Sequence, residues 1–156
     1  MKKIFSLVLL LSLVVALSST SMAAKAKPIT SGSNGMKLGL GVYGGYTTLR
    51  MIGDTYDAAV GAIFQSGSGT STFGLLGLYT VNLTGGNTPT HVGGLLNYVS
   101  TGATNIFIVS MVYGAETMVT NNLLVGVDVT PVSFTSASGT STFILGGGTV
   151  HASFLL

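Results

Sequence analysis

The 156-residue chain contains no cysteine and no tryptophan, three prolines, and only 6% charged residues. Without cysteine it has no disulfide framework, no thiol nucleophile and no thiolate metal ligand. The shortage of charge is sharper downstream, where Glu116 and Asp128 are the only charged side chains beyond Asp57. Soluble domains carry roughly 25% charged residues, and a water-facing surface this poor in charge would be poorly soluble. Long apolar runs are also missing after residue 17, so no segment there offers the roughly 18 consecutive apolar residues of a spanning helix. An apolar chain with neither a charged surface nor an apolar helix points to extended structure. Two forms fit: a β-barrel with a lipid-facing exterior, or an exported fibre-forming β protein.

The one apolar run, Ile4 to Leu17, follows Lys2 and Lys3 and precedes Ser21-Met22-Ala23. A basic start, a short apolar stretch and a small-residue cleavage pattern make a secretory signal peptide over residues 1–23, with Ala26 as a second cleavage position. Residues 24–35, "AAKAKPITSGSN", read as a flexible N-terminal segment, and 36–156 as one domain. With the signal removed, Lys25, Lys27, Lys37 and Arg50 face Asp54, Asp57, Glu116 and Asp128. The formal charge of +2 then falls to zero, which removes the main support for a nucleic-acid partner.

From Met36 onward, segments rich in Val, Ile, Leu, Tyr, Phe and Gly alternate with turn clusters such as "TGGNTP", "TNN" and "SASGTS". Seven strands are read: 37–49, 55–65, 72–83, 90–100, 105–119, 122–134 and 142–155. Helices are not expected from a chain with 23 glycines and no sustained helical period. Alternation predicts that Val92, Gly94, Leu96 and Tyr98 share an outer face opposite His91, Gly93, Leu95 and Asn97. It likewise sets Leu123, Val125, Val127 and Val129 against Leu124, Gly126, Asp128 and Thr130. The segment 105–119 is apolar on both faces, so its orientation is not assigned.

"SGSGTSTFGLLG" at 66–77 recurs as "SASGTSTFILGG" at 136–147, and the same offset of 70 aligns Val42-Tyr43-Gly44 with Val112-Tyr113-Gly114. A four-strand repeat, doubled, gives a nominally eight-stranded closed sheet. The repeat also bears on Gly39-x-Gly41-x-x-Gly44, which has the spacing of a dinucleotide-binding loop. No helix pattern follows it, and Val109 and Met111 stand where Gly39 and Gly41 stand in the other copy. The motif is read as strand glycine rather than a phosphate cradle.

The signal peptide, the first strand "LGLGVYGGY", the unit "YGAETMVTNNLLVGVDV" and the last strand "TVHASFLL" together resemble the small bacterial outer-membrane β-barrel proteins of the eight-stranded opacity and OmpA-transmembrane type. The resemblance covers roughly 36–156. It implies an all-β, up-and-down antiparallel transmembrane barrel, placed in the outer membrane with the help of the barrel-assembly machinery and surrounded by outer-membrane lipids. The family usually ends on an aromatic residue, whereas here Phe154 lies third from the end. An even strand number is also expected, so the eighth strand is sought in residues 26–34, the alternative being a barrel left open or completed by another chain.

No catalytic, cofactor or metal residue is assigned from sequence. His151 and Ser153 share a strand face and resemble the His-x-Ser pair of outer-membrane lipid A deacylases, with Glu116 the sole glutamate available as orienting acid. The simpler reading is two polar side chains on the inner face. His91 and His151 are the only histidines, each alone in its strand, and the acids show no ligand spacing. Glu116 and Asp128 are expected to hydrogen-bond inside the barrel, with Arg50 or Lys37 as partner. Tyr43, Tyr46, Tyr56, Tyr79, Tyr98 and Tyr113 are candidates for interfacial girdles. The expected role is structural in the envelope or in modest surface contacts rather than enzymatic. A narrow channel or carrier, a lipid-modifying hydrolase and a fibre former are the alternatives.

Overall fold

The computed structural model describes residues 36–67, 69–84 and 88–156. The signal sequence 1–23, the segment 24–35 and the candidate strand at 26–34 lie outside the described residues. Every regular element among those described is a strand: β1 (Lys37–Tyr43), β2 (Tyr46–Ile52), β3 (Tyr56–Gly67), β4 (Thr70–Asn82), β5 (Thr90–Ser100), β6 (Asn105–Met118), β7 (Leu123–Val129), β8 (Val132–Ala137), β9 (Thr140–Leu145) and β10 (Gly148–Leu155). All pairings are antiparallel. The order β1-β2-β3-β4-β5-β6-β7-β10 closes on itself, because β5 pairs with β6 and β10 with β1. Strands β8 and β9 prolong the walls of β7 and β10 past a break at Pro131, which has no N–H for the ladder. Across the break, Thr130 N–H still donates to Gly147 O at 2.9 Å and Gly146 N–H to Pro131 O at 3.1 Å. The chain is thus an all-β, up-and-down antiparallel barrel with eight walls.

The eighth strand lies within the segment read as one strand at 37–49. That segment is a hairpin, with Tyr43 opposite Tyr46 across Gly44-Gly45. Both glycines have positive φ, 54° and 90°, as the type I′ turn that matches strand twist requires. The barrel therefore closes without residues 26–34 and without a second chain. Gly45→Val places a β-branched residue at positive φ and is expected to cost about 1–2 kcal/mol. The check is a lower urea midpoint at unchanged m-value; a variant indistinguishable from wild type would contradict the turn assignment.

The offset of 70 is structural over one hairpin only. In β3–β4 Phe64 faces Phe73 and Gly67 faces Thr70; in β8–β9 Phe134 faces Phe143 and Ala137 faces Thr140. Both hairpins thus share one register. The earlier part of the alignment differs, since Tyr43-Gly44 enters a turn while Tyr113-Gly114 lies in the middle of β6. The four-strand repeat read from sequence is thereby corrected to a repeated hairpin, and Gly44 to a turn residue rather than a strand glycine.

Alternation places apolar side chains outside and polar ones inside. The faces expected for 90–100 and 123–129 are those observed, with His91, Leu95, Leu124 and Asp128 buried and Leu96 and Val127 exposed. In β6, Ser110, Val112, Gly114 and Glu116 point inward, while Phe107 and Tyr113 are exposed outside. The interior is layered. Tyr43, Tyr46, Ala59, Leu76, Leu78, Leu95 and Val112 form an apolar layer toward the Gly44-Gly45 end. Ile52, Leu124 and Leu155, with Met118, form another toward the end of the barrel that holds Lys37 and Leu155. The buried charged groups lie between the two.

Of the six tyrosines, Tyr56, Tyr79 and Tyr113 are exposed on the outside of the terminal half, and Tyr56 stacks with Tyr79 at 6.0 Å. Tyr43 and Tyr46 instead turn inward, and both are buried. Strands β1 and β2 are shorter than their neighbours. Beyond the pair Thr47–Ala62, β3 continues to Gly67 with no partner on its β2 side, and β9 pairs only with β8 among the described residues. The barrel wall is therefore notched above the Gly44-Gly45 turn.

Candidate functional site

Each of the eight walls sends a buried polar group into the middle of the barrel: Tyr43 (β1), Arg50 (β2), Asp57 (β3), Thr80 and Asn82 (β4), His91 (β5), Glu116 (β6), Asp128 (β7) and His151 (β10). Their placement follows from strand parity, which in β2 gives strict alternation with Arg50 on the buried side. Walls β2 and β6 are four apart in a ring of eight and so face each other. Arg50 reaches across the lumen to Glu116 Oε1 and also binds Asp57 Oδ2 at 2.9 Å. Asp57 additionally accepts from Gly53 N–H at 3.1 Å. Lys37, the other cation considered as a partner, is not a member of this cluster.

On the other side of the lumen, His91 Nε2 lies 2.7 Å from Asp128 Oδ1, and His91 Nδ1 lies 3.4 Å from Glu116 Oε1. His151 Nε2 lies 3.5 Å from Asp128 Oδ1 and 3.9 Å from Glu116 Oε1, and its ring stacks on Tyr43 at 5.3 Å. Arg50 Nη1 approaches His151 Nδ1 at 3.5 Å.

Two glycines make room for these contacts. Gly114 is in register with His91 on one side and Asp128 on the other, so the imidazole–carboxylate bond passes in front of it. Gly126 is likewise flanked by Glu116 and His151. A Cβ on Gly114 would run into Asp128 Oδ1 and His91 Nε2, and one on Gly126 into the His151 ring. The patterns Gly114-x-Glu116 and Gly126-x-Asp128 put a gap and an acid two residues apart on one inward face.

The structure thus brings together Glu116, Asp128, His91, His151 and Arg50, residues from five walls that no linear spacing links. His151 and Ser153 share the inner face of β10 as expected, and both are buried, 2% and 3% exposed. Several polar atoms of the cluster have no hydrogen-bond partner: His91 Nδ1, His151 Nε2, Glu116 Oε2, Asp128 Oδ2 and Arg50 Nε. The usable signal in the sequence was the pair of Gly-x-acid patterns on the inner faces of adjacent strands.

Comparison with protein-family models, curated proteins and solved structures finds no match to this chain. Fold and interior are those of a closed, eight-walled antiparallel barrel with an apolar exterior and an ionic centre.

Proposed function

We propose that the protein is an integral outer-membrane barrel whose role is structural, in the envelope or in modest surface contacts, and that it does not serve as an open pore. The observation that carries this reading is the inversion of the usual surface. Leu40, Val60, Leu75, Leu96, Val127 and Val150 are 48–68% exposed outside, while Arg50, Asp57, Glu116 and Asp128 are at most 3% exposed inside. In water this arrangement leaves a broad apolar surface uncovered and desolvates charges. In a bilayer the same exterior meets hydrocarbon, and closure of the eight walls leaves no sheet edge around the ring below the notch beside β3 and β9. The exposed Tyr56, Tyr79 and Tyr113 suit one interfacial girdle. The Arg50–Glu116 pair across the lumen and the apolar layers on either side favour a plugged interior over a channel, as the narrow bore of eight strands also does. A hydrolytic role for His151 and Ser153 would require lipid to enter that interior.

The test is fractionation of the producing cells, followed by electrophoresis of the membrane pellet with and without boiling. Recovery in the outer membrane with a heat-dependent mobility shift is expected, and reconstituted protein should leave bilayer conductance at its baseline. Recovery in the medium, or as detergent-resistant aggregates with no shift, would overturn the reading and favour a fibre.

A further inference from the structure

The ionic centre holds more ligating atoms than it satisfies. His91, Asp128 and His151 each present a donor atom within 4.8 Å of the other two, and all three residues are buried. They come from β5, β7 and β10 and meet in front of Gly114 and Gly126. We propose that His91, His151 and Asp128 bind one divalent transition-metal ion of the zinc, cobalt or nickel kind.

Three observations converge on this site. The first is spacing. Ligands 2.0–2.1 Å from a tetrahedral ion stand roughly 3.3 Å apart, and His151 Nε2 is 3.5 Å from Asp128 Oδ1. His91 Nε2, now 2.7 Å from the same carboxylate, needs to withdraw by about half an ångström as the metal takes the place of the proton the two share. The second is the set of orphaned atoms, since Asp128 Oδ2 and His151 Nε2 are both buried without a partner. The third is charge. With neutral imidazoles the cluster has one guanidinium against the carboxylates of Asp57, Glu116 and Asp128, and a divalent cation brings the sum to zero.

The second nitrogen of a metal-bound histidine normally donates to a carboxylate or carbonyl, which fixes the ring. The nearest acceptor to His91 Nδ1 is Glu116 Oε1, 3.4 Å away and not hydrogen-bonded to it in the metal-free barrel. Arg50 Nη1 lies 3.5 Å from His151 Nδ1 and the guanidinium is held by Asp57 and Glu116, so with Nε2 on the metal the Nδ1–H of His151 has to turn from that guanidinium. Two nitrogens and one carboxylate favour zinc, cobalt or nickel over calcium or magnesium, which prefer oxygen alone. The assignment is independent of the bilayer reading.

The experiment uses the full chain folded in detergent, stripped with a chelator and titrated with Co2+. One equivalent per chain is expected, with visible d–d absorption that Zn2+ displaces. His91→Gln, His151→Gln and Asp128→Asn should each lower affinity at least tenfold while the heat-dependent gel shift reports that the barrel is intact. Should the variants fail to fold, X-ray absorption of the zinc-loaded wild type decides, with imidazole scattering from two histidines expected. A folded wild type that takes up no Co2+, uptake indifferent to all three substitutions, or a zinc shell without imidazole would each overturn the proposal.

Discussion

Arg50→Ala is expected to remove about 3–5 kcal/mol of stability, the range found when one partner of a buried ion pair is deleted. The arginine binds Asp57 Oδ2 at 2.9 Å and Glu116 from the opposite wall, and both acids are almost wholly buried. Removing it strands two carboxylates in the same enclosed layer with no nearby guanidinium. A domain stable by about 5–15 kcal/mol could lose most of its margin. Arg50→Lys should fall between wild type and alanine, because an ammonium cannot offer the planar fork that serves two carboxylates at once. Adding Asp57→Asn and Glu116→Gln to Arg50→Ala should recover much of the loss, since the stranded charges are then gone. Urea unfolding followed by far-UV circular dichroism and gel mobility suits a chain without tryptophan. An alanine variant within about 1 kcal/mol of wild type would show that the cross-lumen pair contributes little to the fold.

Gly114→Val is expected to cost about 3 kcal/mol or more, through overpacking and the loss of a buried hydrogen bond. The side chain would stand between His91 and Asp128, whose 2.7 Å bond crosses this position, and it would press on the backbone of β7 at Val127 O. Alanine should already separate the imidazole from the carboxylate, and valine should displace both. Gly77 on β4 supplies the comparison. It sits in a strand too, but a Cβ there meets nothing within 4 Å, so Gly77→Ala should stay within about 0.5 kcal/mol of wild type. Thermal and urea unfolding of the two variants side by side would separate the requirement for space at Gly114 from a general effect of replacing strand glycine. Equal effects at both positions would count against the packing account.

How much of this was legible in the chain depends on the range of the interaction. Parity is local, and alternation along single strands is enough to place His91, Asp128, His151 and Ser153 on inner faces. Alternation failed over 105–119, where apolar Val112 and polar Glu116 share the inner side, because an apolar plug and an ionic centre occupy successive layers of one lumen. The hairpin at 37–49 was hidden by its own turn. "VYGGY" carries no polar punctuation, so its two glycines read as continuation of a glycine-rich strand. The ionic centre depends on ring closure, which puts Arg50 opposite Glu116, 66 residues away, while His151 comes beside Asp128 through the β7–β10 pairing. Short-range spacing in sequence holds no information on that meeting.

For a barrel placed in a bilayer as proposed, the notch left by β1 and β2 would limit where hydrocarbon reaches. Backbone groups on the free side of β3 beyond Ala62, and along β9, have no ladder partner among the described residues, and such groups are not tolerated in lipid. In the bilayer proposed above, the acyl boundary would then lie near the Gly44-Gly45 turn. Seven residues at about 3.3 Å each, tilted by roughly 40°, rise only about 18 Å. That is thinner than the usual apolar band of about 25 Å, so the membrane would pinch on the β1–β2 side while the taller flanks rise clear of it as an uneven collar. In a membrane, a barrel of this shape would impose a direction on the lipids around it, with one flank compressed and the other relaxed.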